Sequence, residues 1–124
     1  MKKIILLFLF FCAQANAEWI YLSKVKLSTN ATATFWYDIF KKNDGDIWVW
    51  ERVKYSEIDA YGTLSAQNFT KINCYENTYQ ILSKEYYKKE NWSNVNFTIS
   101  QPSDKKLIKS NSIISKLANI VCKN

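Results

Sequence analysis

The sequence predicts an α+β fold in which antiparallel strands come first and one helix comes last. Apolar and polar residues alternate in short runs up to residue 100, which is typical of half-buried strands. A helical spacing of apolar residues occurs only after residue 110. This order is typical of a helix packed on one face of an antiparallel sheet. With 124 residues, the chain forms one domain at most.

The composition supports a folded chain and excludes several chemistries. Hydrophobic residues make up 48% of the chain, with only two glycines and one proline, so it can build a core. It has no histidine, which removes imidazole acid–base pairs and the commonest zinc ligand. The pairs Asp44/Asp46 and Glu57/Asp59 are candidates for acid–base or calcium chemistry, but turn formation explains both. We therefore expect no enzyme, no metal and no cofactor.

The first seventeen residues have the three parts of a secretory signal peptide. Residues 2–3 are lysines, residues 4–13 are an apolar run too short to span a membrane, and residues 15–17 read Ala-Asn-Ala. Cleavage after this site predicts an exported single domain, residues 18–124, with no transmembrane segment. A lipoprotein acylated at Cys12 is the alternative, although the preceding residue is a phenylalanine where a small side chain is expected.

Cleavage also sets the charge and the cysteine count of the exported domain. Two lysines are lost, so 15 basic residues face 11 acidic ones and the net charge is +4. Because the chain has a single arginine, we expect no nucleic-acid partner. Two cysteines remain, Cys74 and Cys122, and thiols in an oxidising compartment tend to pair. With no Cys-x-x-Cys spacing, they predict one structural disulfide.

Alternation and turn residues divide the domain into strands. Residues 42–46 read Lys-Asn-Asp-Gly-Asp, which predicts a hairpin turn with Gly45 in a left-handed bulge position. Pro102 ends the last strand because proline cannot donate to a sheet ladder. The predicted strands cover residues 18–26, 33–41, 47–55, 66–74, 78–88 and 95–100.

The predicted C-terminal helix is amphipathic. Ser110 or Ser112 caps its start, and Lys123 at its end opposes the helix dipole. We expect the helix to pack on the sheet, where the disulfide clamps it to a strand end; a membrane-surface helix is the alternative, but the polar face is weakly basic. Its apolar stripe consists of Ile113, Ile114, Leu117, Ile120 and Val121.

The hairpin turn predicts a register with two apolar faces. It places Lys42 opposite Asp46 and Phe40 opposite Trp48. One face is aliphatic and aromatic and is adequate as a core: Phe35, Tyr37, Ile39, Ile47, Val49 and Val53. The other face is either buried by the curled sheet or is a partner or dimer surface, for which tryptophan and arginine are suited. The candidate partner surface consists of Trp36, Trp48, Trp50 and Arg52.

Several short motifs follow one another in a definite order along the exported domain. They are Glu18-Trp19-Ile20, Phe35-Trp36-Tyr37-Asp38, Asp46-Ile47-Trp48-Val49-Trp50, Ile72-Asn73-Cys74 followed by Tyr79-Gln80-Ile81-Leu82-Ser83, and a helix from Ser112 to Val121-Cys122. This order resembles the bacterial surface-adhesin protein E family over nearly all of the exported domain. No single motif is specific, and the spacing of the cysteines, the strand between them and the final helix carries the resemblance.

The resemblance implies both a fold and a function. The implied fold is a small curved antiparallel sheet of about five to six strands, with the C-terminal helix packed on it and clamped by one disulfide. The implied function is noncatalytic binding of host extracellular-matrix proteins by an exported protein of the periplasm or bacterial cell surface, and a homodimer is left open. A periplasmic structural or envelope-associated module with no adhesive role is the alternative.

Overall fold

Seven strands and one helix form the part of the chain that the computed structural model describes, residues 18–123. The predicted signal peptide, its cleavage site and Cys12 lie outside the described residues. The elements are β1 (Ile20–Lys26), β2 (Thr32–Asn43), β3 (Asp46–Tyr55), β4 (Ser65–Asn73), β5 (Thr78–Tyr87), β6 (Val95–Ile99), β7 (Lys106–Leu107) and α1 (Ile113–Val121).

The strands form one open antiparallel sheet in the order β1-β2-β3-β4-β5-β6, and the two-residue β7 pairs with the free end of β5. The predicted α+β fold is therefore confirmed, with β7 as the one strand that was not expected because two residues are too few to show alternation. Register irregularities interrupt four of the strand pairs between β1 and β6. Such bulges bend strands and increase their twist.

The helix α1 packs on one face of the sheet and forms the main core with it. Leu117, Ala118 and Val121 are buried, and Ile113 and Ile114 are partly buried. Ile120 was expected in this stripe but is 42% exposed, because it lies about 100° around the helix from Val121. The sheet contributes Leu22, Tyr37, Ile47, Val49 and Ile72, and the segment before the helix contributes Ile108.

Both ends of α1 are fixed. Of the two candidate caps, Ser112 is the one used: its hydroxyl accepts from the Ser115 N–H at 3.1 Å, and its own N–H donates to the Ser115 hydroxyl at 3.1 Å. At the other end, Cys122 follows the helix and forms the expected disulfide with Cys74, with a Cα–Cα distance of 5.7 Å. The disulfide holds the helix to the turn between β4 and β5.

The β2–β3 hairpin has a tighter turn than the sequence predicted. Asn43 pairs with Asp46, and Asp44, not Gly45, takes the left-handed conformation with φ 57°. Gly45 is needed instead because the ring of Tyr75 packs directly against its backbone, and a Cβ atom at this position would overlap that ring. The extra residue of the bulge lies farther along β2, at Phe40.

This displaced bulge changes part of the predicted register. The pairings of Lys42 with Asp46 and of Phe40 with Trp48 are wrong: Lys42 pairs with Ile47, and Lys41 pairs with Trp48. Beyond the bulge the predicted pairs are present, and Trp36 lies opposite Arg52.

A polar row crosses the helix side of the sheet at Glu51. The Thr70 hydroxyl donates to Glu51 Oε2 at 2.6 Å, and Asn68 and Lys84 continue the row on β4 and β5. Desolvation by burial raises the pKa of Glu51 above its ordinary value of 4.5, against the opposing effects of the Thr70 hydrogen bond and the Lys84 charge.

We expect the double substitution Cys74→Ser/Cys122→Ser to lower the free energy of unfolding by about 4 kcal/mol, because the disulfide closes a long loop in the unfolded chain. The sequence separation of the two cysteines is 48. Urea unfolding followed by circular dichroism measures the change, and addition of a reductant to the wild type is the matched comparison. An unfolding midpoint that neither treatment moves would contradict this role of the disulfide.

The substitution Glu51→Gln tests the buried carboxyl through the pH dependence of stability. Because the pKa is raised in the folded state, this group's contribution to stability is fully present below pH 4.5 and is lost as the pH rises through the folded-state pKa. The wild type should therefore lose free energy of unfolding relative to Glu51→Gln as the pH rises above 4.5. Urea midpoints between pH 4 and pH 7 measure this, with the exposed Glu57→Gln as the control. If the difference in free energy of unfolding between the wild type and Glu51→Gln does not change with pH, the raised pKa of Glu51 is contradicted.

Candidate functional site

All five tryptophans of the chain lie on the sheet face opposite α1. Along β3, Ile47 and Val49 point to the helix, so Trp48 and Trp50 point to the other side. Trp36 joins them through its pairing with Arg52. We call this surface the tryptophan face; it consists of Trp19, Trp36, Trp48, Trp50 and Trp92 with Arg52, Phe40 and Phe69 among them.

Arg52 organises one end of the tryptophan face. Its guanidinium carbon lies 4.3 Å from the ring centroid of Trp19 and 4.5 Å from that of Trp92. Its Nε donates to Oε1 of Gln67 at 2.7 Å, which fixes the plane of the group. Burial lowers the pKa of Arg52 below its ordinary value, although a guanidinium stays charged at physiological pH. Two indoles and one amide thus hold a positive charge in a defined place.

Trp92 reaches the face from the loop between β5 and β6. It has φ 55°, an uncommon conformation for a bulky residue, and several contacts stabilise it there. Its indole N–H donates to the carbonyls of Val53 and Ala66, both at 3.2 Å, and its ring meets that of Trp36 edge to face with centroids 5.6 Å apart. The loop is therefore pinned to the sheet.

Aromatic contacts continue through the middle of the face. The rings of Trp50 and Phe69 have centroids 4.4 Å apart, and Phe69 meets Phe40 edge to face at 5.6 Å. Phe40 is 62% exposed because it stands on the bulge, at the boundary of the sheet surface. Aromatic pairs of this kind stabilise the fold by more than the burial of their apolar surface alone contributes.

Lysines flank Trp48 at the opposite end. The Nζ atoms of Lys41 and Lys71 lie 4.4 Å and 5.3 Å from the centroid of its ring. Lys71 also forms an ion pair with Asp46 at 3.8 Å, and both side chains remain partly accessible. The indole therefore stands between two cationic side chains, and both ends of the tryptophan face carry positive charge.

The four residues predicted from the hairpin, Trp36, Trp48, Trp50 and Arg52, lie together on this face and are each half-buried. Sequence reasoning missed Trp19 and Trp92. For Trp19 a signal was available, since alternation puts it on the same side as Tyr21, which pairs with Trp36. For the loop residue Trp92, no periodicity could indicate its position.

Three of the four candidate carboxylates, Asp44, Asp46 and Asp59, have structural roles in or beside turns. Asp44 accepts from the Tyr75 hydroxyl at 3.0 Å, and Asp46 accepts from the Asn73 amide at 2.9 Å. Asp59 accepts the backbone N–H groups of Tyr61 and Thr63 at 2.8 Å and 2.9 Å. Within residues 18–123, no three histidine, cysteine or acidic side chains come together in a group that could hold a metal ion.

The fold and this face define a class of small disulfide-linked α+β proteins in which one sheet face carries the helix and the other presents aromatic and cationic side chains. The family model described as surface-adhesin protein E matches residues 19–123. The chain belongs to the surface-adhesin protein E family. In comparisons with curated proteins and with solved structures, no significant match was found.

Membership in this family supports a surface adhesin role and an exported or cell-surface location. In the part of the chain from residue 18 to residue 123, no helix has the length and apolar character needed to cross a membrane.

Proposed function

We propose that the protein is an exported, noncatalytic adhesin that binds a host extracellular-matrix protein through the tryptophan face. The observation that supports this proposal most is the position of all five tryptophans on the sheet face opposite the helix. The disulfide between Cys74 and Cys122 and the burial of Leu117 and Val121 keep α1 on the other face. The helix therefore cannot cover the tryptophans without loss of its own core.

The chemistry of the face suits a protein partner. Tryptophan and arginine are the residue types that most often dominate binding energy at interfaces. Trp48 and Trp50 lie half-buried near the exposed Phe40, so a partner can remove more apolar area from water. Large contiguous apolar patches on a protein surface usually mark interaction sites.

A homodimer is a second candidate assembly, and the edge strand β6 favours it. Val95, Phe97 and Ile99 are exposed there, and the strand carries no charged residue. Sheet edges without lysine or proline readily pair with another strand. The opposite edge, β1, has Lys24 and Lys26, which disfavour pairing with a second copy.

We expect the double variant Trp48→Ser/Trp50→Ser to weaken binding to immobilised matrix extract by about tenfold or more, the scale set by loss of one or two hot-spot residues. The circular-dichroism spectrum should not change, and the thermal midpoint should fall only slightly, because both side chains are half-buried. Surface plasmon resonance and thermal unfolding measure the two effects.

The matched control is Ile58→Ser/Tyr61→Ser, which removes two exposed large side chains from the loop between β3 and β4. This control should bind as the wild type does. A cooperative loss of fold in the tryptophan variant would assign Trp48 and Trp50 to the core and refute the proposed surface. Protease shaving of intact cells tests location, since full protection of the protein would favour the periplasmic module.

For the homodimer, we expect Phe97→Lys to shift the self-association equilibrium toward monomer, because two such charges would meet across a β6–β6 pair. Sedimentation velocity over a concentration series measures this, with Leu107→Lys on β7 as an exposed control. A wild-type protein that is monomeric at every concentration would exclude the dimer.

A further inference from the structure

The strand residues on the tryptophan face carry a net positive charge. Strand residues that point to this side are assigned by their register with Trp36, Trp48 and Arg52. On this side the strands carry six cations and three carboxylates, so the net charge of these strand residues is +3 (6 − 3). The net charge of the whole exported domain is +4. The cations are Lys24, Lys26, Lys41, Arg52, Lys54 and Lys71, and the carboxylates are Asp38, Asp46 and Glu85.

The tryptophan face has indole N–H groups without a protein acceptor within the described residues. Within residues 18–123, Trp92 is the one tryptophan whose indole N–H donates to a protein group. The indole N–H groups of Trp19, Trp36, Trp48 and Trp50 remain for solvent or a ligand. A ligand rich in acceptors and negative charge therefore complements this surface.

The cations lie in two groups at the two ends of the face. One group, Lys41 and Lys71, flanks Trp48. The other group includes Lys54, which lies six residues from Trp48 along β3. At the rise of an extended strand this separation is about 20 Å. A compact anion reaches one group alone, whereas a linear polymer with anions in each repeat reaches both. Between the groups, Phe40, Trp50 and Phe69 offer aromatic surface to the apolar C–H faces of sugar rings.

Given that the tryptophan face is the adhesive surface proposed above, we infer that its ligand is a sulfated glycosaminoglycan, the anionic sugar chain that matrix proteoglycans carry. Sulfate groups accept from the lysines, Arg52 and the free indole N–H groups, and sugar rings pack on the aromatic side chains. An acidic protein segment also carries negative charge, but the aromatic surface between the two groups of cations suits sugar rings that alternate with anionic groups. A cavity of about 720 Å³ lies along α1, beside Ile108 and Ile113, and not among the tryptophans.

Heparin is the probe that tests this inference, with the exported domain and two charge-matched variants. Lys41→Gln/Lys54→Gln/Lys71→Gln removes three cations from the tryptophan face. Lys109→Gln/Lys116→Gln/Lys123→Gln removes three exposed cations from the helix and the segments that flank it. We expect the first variant to bind heparin about tenfold or more weakly, and the second to bind nearly as the wild type does. Isothermal titration calorimetry measures the affinity for heparin, and the change in tryptophan fluorescence reports whether heparin binds at the tryptophan face. Circular dichroism checks that each variant is folded.

Digestion of the matrix extract with glycosaminoglycan lyases separates this inference from the proposed function. Loss of wild-type binding after digestion supports the glycan ligand. If digestion has no effect and Trp48→Ser/Trp50→Ser still abolishes binding, the tryptophan face is adhesive but the glycan is wrong, and an acidic protein segment is the ligand. Equal loss of heparin affinity in both lysine variants would overturn the inference in favour of unspecific charge attraction. If neither lyase nor tryptophan substitution reduces binding, both proposals fail.

Discussion

The structure depends on a sheet with two apolar faces and a single helix to cover them. Leu117 and Val121 are buried against one face, and the Cys74–Cys122 disulfide holds the end of α1 to the turn between β4 and β5. In a domain of this size, about 4 kcal/mol from the disulfide is a large part of the total stability. The disulfide and the core therefore keep the helix on one face of the sheet, and no helix covers the other face within residues 18–123.

The uncovered face is stabilised by cations and edge-to-face rings instead of a second layer. Arg52 contacts Trp19 and Trp92, and Lys41 and Lys71 contact Trp48, and the indoles in these contacts are half-buried. Each cation–π contact contributes about 0.5–1 kcal/mol at such partly exposed sites. The same contacts hold the side chains in place without a ligand, and a preorganised surface loses less entropy on binding. In the proposed function, the stability of this face and its binding therefore have one physical origin.

Sequence reasoning reached the strands, the helix, its cap and the disulfide because each has a local signal: alternation, a 3.6-residue period, a capping serine or the two cysteines left after cleavage. It also placed Trp36, Trp48, Trp50 and Arg52 on one face, since alternation within a strand decides this. It failed where a distant contact decides the local structure. The ring of Tyr75 packs on Gly45, so the hairpin closes in two residues and the bulge lies at Phe40. The contribution of Trp92 depends on a loop whose position only the folded sheet determines.

Hydroxyl-radical footprinting of the exported domain, free and bound to matrix extract, tests the central claim most directly, because it measures the accessibility of each aromatic ring on both faces. Phe40, Trp48 and Trp50 should be oxidised in the free protein and protected in the complex. Tyr37, which is buried in the core on the helix face, should be little oxidised in either state. Tryptophans as protected as Tyr37 in the free protein, or a complex in which their oxidation does not change, would contradict an open tryptophan face that binds the host matrix.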